Sequence, residues 1–132
     1  MRFDWTGFLT FAEALQLTPD SPGPPEAALR SAASRAYYAA FHHALNLACK
    51  EGFRPSFQAS DHKQVQEHFR NCKPPDRIRQ KIARELERLW DQRRQADYDA
   101  VLHKEPASLA AHAIGMARRV LGKLSQCTAE YE

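Results

Sequence analysis

The chain has 132 residues, 43% of them hydrophobic and 27% charged, with a formal charge of +3, which fits one ordinary folded domain spanning residues 1–132. That balance excludes a disordered polyelectrolyte, and the absence of any run of about 18 apolar residues excludes a membrane-spanning helix. Cys49, Cys72 and Cys127 are odd in number and lack CxxC spacing, so neither a disulfide framework nor a metal site is expected, and no cofactor is implied.

Periodic apolar positions predict an all-α chain of about five helices packed as an up-and-down bundle, and no stretch alternates as a strand would. Asp4 can cap a first helix on which Trp5, Phe8, Leu9, Ala12 and Leu15 recur at helical spacing. Residues 18–25, TPDSPGPP, carry four prolines and a glycine and predict an irregular loop, with Pro25 suited to the first turn of the next helix. The second helix, from about Glu26 to Lys50, sets Ala32, Ala36, Ala40 and Ala44 one turn apart, so a neighbour can approach it closely; it is expected to be central. Gly52 ends it. Asp61 is the expected cap of a short third helix carrying Val65 and Phe69, which stops before Pro74 and Pro75. A fourth helix starts near Asp76 with Ile78, Ile82, Leu86, Leu89 and Trp90 inward. A fifth starts near Pro106 with Leu109, Ala113, Ile114, Ala117, Val120, Leu121 and Leu124 as its stripe, leaving 127–132 as a loose tail. The start of the chain lacks the basic and apolar blocks of a secretory signal, which predicts a cytoplasmic location.

Charge is unevenly spread. Residues 77 to 94 hold seven basic side chains against three acidic ones, which draws a phosphate-bearing partner unless the charges are only a solvated face. On the second helix Ser31, Arg35, Tyr38, His42 and Asn46 fall on one face, gathering a cation, a phenol and an imidazole suited to a phosphate ester or to a dimer interface. At the end of the fourth helix Arg93 and Asp97 form an i,i+4 pair, while Trp90, Arg94 and Tyr98 share a face; on a purely structural reading Tyr98 packs under the fifth helix.

The strings Ser34-Arg35-Ala36-Tyr37-Tyr38-Ala39-Ala40-Phe41-His42, then Asp61-His62, then Arg94-Gln95-Ala96-Asp97-Tyr98 resemble the small prokaryotic branch of the HEPN family, with its SRxYYAxFH and RxxADY motifs and a histidine in the loop before a short helix. The resemblance runs from about Ala28 to Leu124. It implies a helical bundle that forms a homodimer, binds RNA or a nucleotide, and works beside a minimal nucleotidyltransferase in a toxin-antitoxin or defence pair. The site residues it implies are Tyr38, His62, Arg94, Asp97 and Tyr98 as ligand contacts.

Some relatives in that family are metal-independent ribonucleases that use an arginine followed closely by a histidine. Here the positions five to seven after Arg93 and Arg94 are Tyr98, Asp99, Ala100 and Val101, so the fourth helix supplies no such histidine. Arg35 and His42 meet the spacing on the second helix, about 10.5 Å apart along its axis, and are the candidate catalytic pair of an alternative endoribonuclease reading. A third possibility is a purely structural dimerisation module in which these residues bury one another.

Overall fold

Helix ends are where local sequence acts most directly on this chain, and each boundary has an identifiable cause. The computed structural model describes residues 3–18, 20 and 24–129. Among them are five α-helices and no strand: α1 (Thr6–Leu17), α2 (Pro25–Lys50), α3 (Asp61–Arg70), α4 (Arg77–Tyr98) and α5 (Pro106–Ala129). The Asp4 carboxylate accepts the Thr6 amide at 3.0 Å and the Thr6 hydroxyl, so it serves the start of α1 from one position further out than an ordinary cap; the flanking residue is Trp5. Thr18 closes α1 on the Ala14 carbonyl with both its amide and its hydroxyl. Pro19 and residues 21–23 of the proline-rich loop lie outside the described residues. Gly52 takes a φ of +101°, and the Gly52 and Phe53 amides reach back to the Cys49 and Ala48 carbonyls at 3.1 and 2.9 Å, which terminates α2 in a Schellman motif. The Asp76 carboxylate caps α4 by accepting the Arg79 amide at 2.9 Å.

Four expectations need correction. Asp61 does not cap α3: it is the first residue of the helix, and Ser60 flanks it. Its buried carboxylate turns back to accept the Ser56 amide, the Ser56 hydroxyl and the Phe57 amide at 2.9, 2.7 and 2.8 Å. Those donors hold Phe57 in the left-handed region, at φ +61°, and hold the Asp61 carboxyl below its ordinary pKa. His62 consequently sits in the first turn of α3 rather than in the loop before it. The tail shortens too, because α5 continues to Ala129 and Cys127 is buried; only residues 130–132 remain outside the described residues. Finally, Tyr98 is 71% exposed and does not lie beneath α5.

α2 is central and packs against each of the other four helices. Ala32, Ala36, Ala40 and Ala44 are fully buried, and this column of small side chains lets neighbouring helices come close. Ile82, Leu86 and Leu89 of α4 and Leu109, Ile114 and Val120 of α5 complete the core, while Ile78 and Trp90 are only half-buried.

Polar clasps fix α4 against α2 at both ends. At one end the Arg79 guanidinium donates to both Glu51 carboxylate oxygens at 2.8 and 2.6 Å, and His68 Nε2 lies 2.8 Å from the same carboxylate. At the other, Arg30 donates to the Ala96 and Asp99 carbonyls, satisfying the last turn of α4. Ser34, 2% exposed, donates its hydroxyl to Asp97 Oδ2 at 3.0 Å.

Candidate functional site

Arg35, Tyr38 and His42 project from successive turns of α2, Arg35 and His42 toward Phe8 and Trp5 at the start of α1 and Tyr38 toward Arg93 of α4 and His62 of α3. Tyr38 is the centre. The Arg35 guanidinium lies over one part of its ring and the Arg93 guanidinium over another, each 5.3 Å from the centroid. Arg35 also covers Phe8 at 4.9 Å, and Arg93 also covers Tyr98 at 5.3 Å. Arg93 Nε is 3.0 Å from Asp97 Oδ2, yet this buried N–H makes no directed hydrogen bond. The guanidinium is placed by three neighbours at once, two aromatic faces and a carboxylate.

A second branch leaves Tyr38 through His62. The two rings meet edge-on at 6.2 Å, and His62 stacks on Trp90 at 5.8 Å with an interplanar angle of 9°. Arg94 then covers Trp90 at 4.8 Å and pairs with Asp91 at 2.9 Å. His62 Nδ1 shares a hydrogen bond with the buried Tyr37 hydroxyl. Burial pushes the Tyr37 phenol up, so it stays protonated. Burial and then the Arg93 charge lower His62, against an opposing pull from Asp61. With a protonated phenol donating to a neutral imidazole, the remaining ring proton of His62 lies on Nε2.

His42 closes the other edge. It stacks on Trp5 at 3.5 Å and 9° and meets Tyr38 at 6.1 Å. Burial first, then the nearby His62 and His43, lower its pKa to about 4, so it is neutral at physiological pH.

The structure therefore connects six of the seven sequence-derived site residues by direct ring contacts: Arg35, Tyr38, His42, His62, Tyr98 and, at the rim, Arg94. Asp97 faces inward. Its Oδ2 is occupied by Ser34 and Arg93, so its place here is to position the arginine. Ser31 is exposed, and Asn46 lines a separate cleft of about 540 Å3 with His43, Lys50 and Ser125. Sequence reasoning missed Arg93 as a contact of Tyr38, and it placed Trp90 inward, where it packs half-buried against the core, without foreseeing its stack on His62. The signal for the first was present, since Arg93 heads the RxxADY string. For Trp90 the signal was its sharing a helical face with Arg94 and Tyr98, although nothing marked His62 as its partner.

Chemically the surface offers guanidinium groups interleaved with aromatic faces. Among the described residues Arg35 has no carboxylate partner, and no group of side chains there could hold a metal ion. Neither of the two larger clefts coincides with this surface, since the second, of about 460 Å3, surrounds Glu51, His68 and Arg79. The array is thus open, and it suits a flat or extended ligand laid across it. No family model matches the chain, and no curated protein or solved structure does either.

Proposed function

We propose that the chain is an RNA- or nucleotide-binding module in which bases stack on the exposed Tyr98 ring and on the guanidinium planes laid over Tyr38 and Trp90, while Arg35, Arg93 and Arg94 also meet phosphate. One observation carries this reading: the Tyr38 ring is bracketed by two guanidinium groups, one of which has no carboxylate among the described residues to neutralise it. Aromatic faces accept any base by stacking, and an uncompensated arginine attracts the backbone that carries the bases. The resemblance in sequence extends the proposal to a HEPN-like homodimer acting with a minimal nucleotidyltransferase in a toxin-antitoxin or defence pair. Fluorescence anisotropy with a labelled single-stranded RNA tests the binding itself. Tyr38→Ala should weaken binding by roughly 5- to 100-fold, the range expected from about 1–3 kcal/mol per stacked base. Unchanged affinity in this variant, or no binding by the wild-type chain, rejects the reading.

A second reading, a metal-independent endoribonuclease, draws on the contact of both Arg35 and His42 with the same Tyr38 ring, at 5.3 and 6.1 Å. Neutral His42 can accept a proton at pH 7. A pKa of about 4 nevertheless makes it a weak base and leaves almost none of it protonated to act as the acid, so binding stands first. Cleavage of RNA that persists in EDTA and disappears in His42→Ala would reverse that order.

A further inference from the structure

On the flank of α4 away from Tyr38, α4 and α5 run antiparallel and enclose an open groove of about 360 Å3 lined by Lys81, Arg84, Glu85, Arg88, Arg119 and Lys123. Five cations here face one carboxylate. Glu85 is shared between Arg119 at 3.3 Å and Lys123, which leaves Lys81, Arg84 and Arg88 without an ion-pair partner among the described residues. These three lie at i, i+3 and i+7, so they line one wall over about 10.5 Å. Arg119 and Lys123, four residues apart, line the other.

The groove continues past Arg119 into a stretch of about 300 Å3 bordered by Gln92, His112 and Met116. Gln92 is 8% exposed, and its Oε1 is buried without any hydrogen-bond partner. An orphaned acceptor at such depth is unfavourable unless something supplies a donor. Phosphate oxygens cannot do so, whereas a hydroxyl can.

Three properties narrow the occupant. The cations stand in two rows on facing walls, which suits a string of negative charges better than a single one. The cationic stretch contains no aromatic or aliphatic anchor of the kind that gives protein interfaces their affinity. The same stretch has no aromatic ring on which a base could stack. We propose that the α4–α5 groove is a second binding site, distinct from the Tyr38 surface, that holds the ribose-phosphate backbone of one RNA strand without regard to base, with Gln92 accepting from a ribose hydroxyl. This site operates whether or not bases stack at the Tyr38 surface.

A labelled abasic ribose-phosphate oligomer, which presents backbone and no bases, removes base stacking from the measurement. The wild-type chain should bind it with an affinity that falls steeply with salt. Arg84→Gln/Arg88→Gln, at two exposed positions, should reduce the slope of log affinity against log salt by about 1.4, or about 0.7 for each lost phosphate contact. The drop in salt slope caused by Arg84→Gln/Arg88→Gln should be just as large in a Tyr38→Ala background, which separates failure of the groove from failure of the stacking surface. Gln92→Leu should abolish any preference for the ribose probe over its deoxyribose counterpart while the salt slope stays constant. An unchanged slope in the double arginine variant overturns the proposal, as does equal affinity for poly-glutamate, which would assign the groove to an acidic protein.

Discussion

The two ends of α4 meet α2 through the same kinds of side chain, and they come out differently. Near its N-terminus Arg79 lies over Phe69 at 5.7 Å with His68 beside it, and the carboxylate of Glu51 in the α2 cap meets both. Near its C-terminus Arg93 lies over Tyr38 with His62 beside that ring, and Arg35 adds a second guanidinium. What differs is carboxylate supply and access to solvent. The Arg79 and Glu51 side chains are 9% and 10% exposed and match each other atom for atom. At the other end Asp97, 30% exposed, serves Arg93 alone, and Arg35 rests on aromatic rings. The first arrangement is complete in itself and acts as a lock. The second leaves positive charge and the exposed Tyr98 ring available to something outside the chain.

If that contrast is right, the ends should respond oppositely to mutation. The largest effect belongs to Glu51→Ala, which strands the buried Arg79 charge and should cost about 3–5 kcal/mol of stability, as when one partner of a buried pair is removed. Urea denaturation measures it directly. Arg35→Ala has no buried counter-ion to strand and should change stability far less. Equal losses at the two positions would dissolve the distinction between lock and surface.

The next effect depends on pH. In the unfolded chain His42 takes up a proton near its ordinary 6.5, whereas in the fold it does so only near 4. Between those values the unfolded state binds more protons, so stability is fully present above about pH 6.5 and declines as pH falls toward 4. His62 is shifted the same way and adds to the decline. After discounting for partial solvent access, the His42 share is on the order of 1–2 kcal/mol. His42→Phe keeps a ring to stack on Trp5 and should flatten that part of the profile in denaturation measured from about pH 7 to about pH 4.5. A profile as steep as wild type would show that the imidazole is not desolvated, and the open end of α4 would lose one of its neutral groups.

How much of this could be read in advance follows from the range of the signals involved. Helix limits were legible because Pro25, Gly52, Asp76 and Pro106 act within one turn of themselves. The grouping of Arg35, Tyr38 and His42 was legible because helical periodicity alone puts them on one face. Contacts between helices were not. Periodicity assigns Trp90 to the inward stripe of α4, and only the placement of α3 decides that its ring meets His62 as well as the core. For the same reason the choice between Arg93 and Arg94 was beyond local reasoning. The two are 100° apart on the helix, and the position of α2 selects which of them covers Tyr38. Asp61 misled because its residue type suits a cap, whereas the Ser56–Phe57 loop folds back and uses its carboxylate instead.

The smallest effect tests whether the open end is organised or merely exposed. Ser34 donates to Asp97 Oδ2, the same oxygen that faces Arg93, so its hydroxyl helps fix the carboxylate that holds the guanidinium over Tyr38. Ser34→Ala removes one hydrogen bond beside a partly solvated carboxylate that keeps its arginine, and about 1 kcal/mol of stability should be lost. A purely structural serine would stop there. A positioning serine has a second consequence, because a loosened Asp97 frees Arg93 to leave the Tyr38 ring. RNA affinity should then fall by a few-fold in Ser34→Ala even at temperatures where the variant is fully folded, and Asp97→Asn should repeat that loss with the hydroxyl in place. If both variants bind as wild type does, Arg93 is held over Tyr38 by the rings alone and the carboxylate belongs to the fold.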